Sequence, residues 1–138
     1  MTNILLLTAD DMRLDHLDRM PTVMERIVAR GRSFTHGRCN MALCQPSRVG
    51  FLRNQLTRDH GEVRVGFDGA DRSQLDDQVG AWLGDAGYSC GMFGKYVNGL
   101  DSYGGVDPPR GWSTWRQLIG HASSERFAVR HQAERRSI

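Results

Sequence analysis

The 138-residue sequence predicts an α/β layer fold, with a mostly parallel sheet flanked by helices. Three observations carry that prediction: an apolar run near the start, later stretches with apolar residues at helical spacing, and a return to strand-like sequence at Tyr88–Phe93. Alternation of the two periods is what helices packed on a parallel sheet require. With 39% hydrophobic and 25% charged residues the chain has material for a core, which excludes disorder by composition. Eighteen Lys plus Arg against sixteen Asp plus Glu give a formal charge of +2, not the basic surface of a polyanion binder. No nucleic-acid partner is therefore expected. No apolar run approaches the ~20 residues of a membrane span, so no membrane partner is expected either.

Asn3–Thr8 is continuously apolar up to Asp10-Asp11, as in a buried parallel strand, and is expected to neighbour Tyr88–Phe93. It has no basic flank of the signal-peptide kind, which implies the cytoplasm if Met1 is the true start. Met20, Val23, Met24, Ile27 and Val28 share one helical face, with Pro21 near the start and Gly31 past the end, predicting a helix near 21–30. Ser33–Arg38 reads as a short strand. Pro46 can open a helix over 46–57 with Val49, Leu52 and Leu56 on one face. A third helix is expected near 74–86, with Leu75, Val79, Trp82, Leu83 and Ala86 inward and Gly87 as its stop. Asp101–Trp115 reads as Gly/Pro-rich loop, and the Arg-rich tail 116–138 as weakly helical.

Asp10 and Asp11 fall where the first strand should end, the side of an open α/β sheet on which ligands bind. Two adjacent hard oxygen donors suit Ca²⁺ or Mg²⁺; a helix cap or loop acid is the plainer reading. Cys44-Gln45-Pro46-Ser47-Arg48 is more specific. Pro46 near a helix start leaves Cys44 facing free N–H groups, and Arg48 in the first turn can hold a tetrahedral oxyanion with its fork. A thiolate nucleophile of the cysteine-phosphatase kind wants more residues between Cys and Arg than the three found here. A soft thiolate also sits poorly beside a hard cation. A zinc site assembled from His36, Cys39, Cys44 and His60 fits no standard finger spacing. The three cysteines, an odd count, argue against a disulfide framework.

At Cys-x-Pro-Ser-Arg the sequence resembles the formylglycine-dependent sulfatases, whose signature cysteine is oxidised to an aldehyde. Asn3–Arg13 looks like that family's opening strand with its first two metal-binding acids. Arg58-Asp59-His60-Gly61 looks like the loop after the signature helix. Ala81–Gly99 looks like the helix and strand leading to the sulfate-binding lysine, here Lys95, the chain's single lysine. The Gly-Lys-Tyr-x-Asn form, with Pro108–Trp112 after it, is similar to the glucosamine-6-sulfatase and heparan-sulfatase branch.

The resemblance implies an alkaline-phosphatase-like scaffold and sulfuric ester hydrolysis, the substrate being a sulfated sugar or an aryl sulfate. It implies metal ligation of Ca²⁺, or Mg²⁺, by Asp10, Asp11 and residue 44, with Cys44, Arg48 and Lys95 as the catalytic set. A formylglycine-generating enzyme would be the maturation partner. The aldehyde hydrate attacks sulfur through one hydroxyl, the alcohol leaves, and the second hydroxyl expels sulfate. By the same resemblance, Arg48 and the metal would lower the pKa of the attacking hydroxyl and hold it, while Lys95 would neutralise the sulfate oxygens. The family's usual Gly at position 54 is Asn, and the His that many members carry at position 97 is Val. No Asp follows Asp107 and no Lys follows Lys95, so the further metal pair and second lysine of the family are missing. The chain thus reads as an amino-terminal piece, 1–115, with a tail, 116–138, unlike the family. Two other readings stand beside it: a phosphate or phosphonate monoester hydrolase on the same scaffold, and a non-catalytic truncated relic.

Overall fold

The computed structural model describes residues 2–65, 75–98, 108–119 and 128–132, and the chain divides into two units, Met1–Arg38 and Cys39–Ile138. In the first, a 3-10 turn at Leu14–Arg19 leads into helix α1 (Pro21–Arg26), then a further 3-10 turn at Val28–Arg30. Pro21 at the first helical position presets the backbone for entry. The helix expected near 21–30 is therefore present but interrupted at Ile27, and none of residues 2–38 is buried.

Two expected strands of this unit are corrected. Asn3–Thr8 forms no strand, and Leu5 is 82% exposed. Ser33–Arg38 holds only a turn at Thr35-His36. A strand exists only where a neighbour completes its ladder, and no described residue of 2–38 offers one.

The second unit carries α2 (Cys44–Arg53), α3 (Thr57–His60), α4 (Val79–Asp85) and strands β1 (Cys90–Gly94), β2 (Trp112–Ile119) and β3 (Ala128–Gln132). The sheet order is β1-β2-β3. β1 runs parallel to β2, pairing Met92 with Trp115, and β2 runs antiparallel to β3, pairing Trp115 with Gln132. Helices on a sheet with a parallel pair bear out the α/β class. The expected loop and weakly helical tail around residue 115 are corrected: Trp112–Ile119 is a strand. Its inward side chains, Trp115 and Gln117, alternate with exposed Arg116, a period of two that the Gly/Pro-rich approach masks.

Val49 and Leu52 of α2 pack with Leu75, Met92, Tyr96, Val97 and Trp115 in one core. Tyr96 meets Trp115 edge-on at a centroid distance of 4.9 Å and Trp112 at 6.1 Å, arrangements that the ring quadrupoles favour. On the other side of the sheet Phe93 is 66% exposed, with the Arg116 guanidinium 5.8 Å from its ring centre.

Pro-Pro-Arg-Gly-Trp is a latch against α4. Buried Gln78 caps that helix by accepting from Gly80 N–H at 2.7 Å and donates Nε2 to the Arg110 carbonyl at 2.9 Å. The Arg110 backbone N–H donates to Asp76 at 3.0 Å and its guanidinium to Asp85 at 2.7 Å. Gly111 has φ +95, and a Cβ there would lie 2.2 Å from the Gly80 carbonyl oxygen. Gly111→Ala is therefore expected to cost about 1–3 kcal/mol from backbone strain alone, with the clash added. The urea midpoint of unfolding measures it.

Candidate functional site

Helix α2 begins at Cys44 itself, two residues before the expected start, with extended Leu43 as its N-cap and no side-chain cap. Pro46 falls in the first turn, where its missing N–H costs nothing. Gln45, Arg48, Val49 and Leu52 lie at i, i+3, i+4 and i+7 and are all buried, so one face carries both the polar and the apolar inward residues. Cys44 is half-buried at the edge of that face. The helix stops at Asn54, which has φ 51 and ψ 43, left-handed values that Gly and then Asn adopt most readily. That geometry explains the Asn found where the family usually has Gly. It also leaves Leu56, expected on the inward face, 45% exposed.

Arg48 is 7% exposed and donates Nη1 to the Lys95 carbonyl at 2.5 Å and to the Tyr96 carbonyl at 3.4 Å. The fork expected to meet an oxyanion thus binds the first turn of α2 to the segment leaving β1. Lys95 follows Gly94, whose φ of +98 lets the chain turn out of the strand. The structure therefore joins Arg48, one turn along α2 from Cys44, to the Lys95 backbone at the carboxyl end of β1.

Asp10 and Asp11 occupy a turn of the first unit, Asp11 with φ 53. Two carboxylates supply a fraction of the six to eight oxygens that Ca²⁺ takes. Among the described residues no group of three or more His, Cys, Asp or Glu gathers as a metal site, so the donors present do not by themselves fit a bound cation.

Three residues escaped the sequence reading as parts of this site. Fully buried Gln45 donates Nε2 to Glu62 Oε2 at 3.0 Å, and the Glu62 backbone N–H donates to His60 Nδ1 at 3.1 Å. The i+4 and i+7 spacing from Gln45 to Val49 and Leu52 was a legible sign that this polar residue faces inward. His60 is legible in the sequence only as part of the Arg58–Gly61 motif and of a zinc reading whose spacing does not fit, and Glu62 carries no local signal. Burial holds the His60 pKa below the ordinary 6.5, with Glu62 opposing that shift.

Comparisons with known proteins define the family. The sulfatase family model matches residues 2–129, and the chain belongs to the sulfatase family. An extracellular sulfatase Sulf-1 homologue of Caenorhabditis elegans is 28% identical over 96% of this chain and 19% of its own length. The extracellular sulfatase SULF-1 homologue of Drosophila melanogaster is 30% identical over 91% of this chain and 12% of its own. An arylsulfatase of Hemicentrotus pulcherrimus is 29% identical over 76% of this chain and 21% of its own. The chain spans about a fifth or less of the length of these curated relatives. No solved structure matches it. Two of the relatives are extracellular by name, which overturns the cytoplasmic placement expected from Met1.

Two outcomes follow from the site. Arg48→Met leaves two carbonyls without their charged donor and should cost about 1.5–3 kcal/mol, read by chemical denaturation. His60 is neutral when folded and takes up a proton more readily when unfolded. Its contribution to stability is full above pH 6.5 and is lost as pH falls through its lowered native pKa. His60→Asn, which keeps an acceptor for the Glu62 N–H, should show a smaller loss of stability between about pH 7 and about pH 5 than the parent.

Proposed function

We propose that this chain is the nucleophile-bearing portion of a sulfuric ester hydrolase. The observation that carries the reading is the seating of Cys-Gln-Pro-Ser-Arg at the first turn of α2, joined through Arg48 to the backbone of Lys95. Formylglycine at residue 44, once formed by a maturation enzyme, supplies an oxygen nucleophile. The remaining work falls to side chains of the chain itself. Helix α2 sets where residue 44 stands, and Arg48 fixes α2 to the end of β1. Lys95 brings positive charge to the sulfate oxygens as negative charge builds there. A sulfated sugar or an aryl sulfate is the substrate class.

Asp10 and Asp11 would be carboxylate ligands of Ca²⁺, or Mg²⁺, with further oxygen donors completing the shell. The 138-residue chain alone should then hydrolyse sulfate esters poorly.

The test is mass spectrometry of residue 44 in cells with sulfatase maturation intact, followed by assay of the purified protein on a chromogenic aryl sulfate with Ca²⁺. Formylglycine at position 44 is the expected result, and unmodified cysteine would overturn the reading. In the catalytically complete protein, Cys44→Ala should abolish turnover. Lys95→Ala should slow it by about 100-fold or more without unfolding the chain, the scale seen when one preorganised charge partner is lost. Turnover by the Cys44→Ala form would mean another nucleophile.

A further inference from the structure

Residue 44 is bracketed by two contacts to one short element. On its amino-terminal side, Asn40 donates Nδ2 to Thr57 Oγ1 at 2.5 Å, at the start of α3. On its carboxyl-terminal side, Gln45 donates to Glu62, just past the end of α3. Thr57 and His60 are buried at 8% and 4% exposure, and Gln45 is not exposed at all. Gly61 has φ 73, so the chain reverses sharply after His60 and returns Glu62 beneath the signature helix. The Glu62 backbone is then held by His60 Nδ1. Because Nδ1 accepts that bond, the His60 proton resides on Nε2, which is buried without a hydrogen-bond partner. A Cβ at Gly50 of α2 would stand 3.6 Å from it, so the imidazole packs against α2 itself.

We propose that α3 is a positioning template for residue 44, in which His60 holds Glu62, Glu62 holds Gln45, and Gln45 fixes the first turn of α2 on which residue 44 stands. Gln45 is joined to residue 44 by a single planar peptide bond, so rotation of one displaces the other. A carboxylate accepting from a buried amide is a charge-assisted bond, stronger than a neutral one. The proposal rests on the reading of residue 44 as the reacting position. Gln45, Glu62 and His60 are positioning residues in it, since they act on that position through other groups.

Thiol alkylation tests it without any sulfate ester. The chain is made in a host lacking the maturation enzyme, so residue 44 remains cysteine, and iodoacetamide labelling of each cysteine is followed by mass spectrometry. Cys39 is exposed and marks full reactivity; Cys90 is buried in β1 and marks an intact core. Glu62→Ala and Gln45→Met should each raise the labelling rate of Cys44 about tenfold while Cys90 stays protected, the population change expected from losing one charge-assisted bond. Glu62→Gln retains an oxygen acceptor and should return the rate most of the way to the parent's, a rescue that loss of packing alone would not give. Unchanged Cys44 labelling in either variant that keeps Cys90 protected overturns the proposal. So does labelling of Cys90 in step with Cys44 in both, which would make the contact a general core element. A chain whose Cys44 responds as expected, yet is never converted to formylglycine in competent cells, would sink the sulfatase reading and leave the positioning role standing.

Discussion

The buried guanidinium of Arg48 is the constraint around which the second unit is arranged. Removing a cation from water costs several kcal/mol unless its donors are satisfied. Here Nη1 donates to the backbone, at the carbonyls of Lys95 and Tyr96. Backbone carbonyls cannot move without the strand to which they belong. The end of β1 and the first turn of α2 are therefore held in one relation. A residue expected from spacing to grip an anion serves here as an architectural clamp between α2 and the end of β1.

The aromatic cluster makes that clamp worth keeping. Tyr96 directly follows Lys95, and its ring is wedged against Trp115 and Trp112. Burial pushes its phenol far above the usual tyrosine range, so the ring is neutral and behaves as a hydrophobic anchor. Trp112 is placed in turn by Gly111 and Gln78, which press its strand onto α4. Position 95 is thus fixed twice: by Arg48 at its carbonyl, and by the packing of the next residue's ring, Tyr96, on Trp115 and Trp112. The motif Gly-Lys-Tyr and the motif Pro-Pro-Arg-Gly-Trp are parts of one packing unit, though more than ten residues separate them.

Several features were legible from residues alone because local chemistry dictates them. Helix α2 announces itself by spacing and Pro46, and β1 by its apolar run; α4 is marked by Gly87 but starts at Val79 rather than near 74, with Trp82 and Ala86 of the expected inward face exposed. The signature Cys44–Arg48 and the Lys95 motif were readable as a site because their residue types in that order serve few other purposes. The Gln45–Glu62–His60 contacts were not readable: a hydrogen bond across 17 residues has no periodicity to betray it.

What the sequence by itself determined is this site alphabet, the α/β class and membership of a helix–strand alternation, all of which follow from side-chain chemistry and period. Tertiary structure decided the rest. It ended α2 at Asn54 through a left-handed residue, turned Trp112–Ile119 into a strand by giving it β1 and β3 as neighbours, and left Asn3–Thr8 outside the strands formed among the described residues. The physical reason is common to all three. A helix closes its hydrogen bonds within its own segment, so its residues foretell it. A strand closes them on another segment, and whether that partner is present is not written in the strand's own residues.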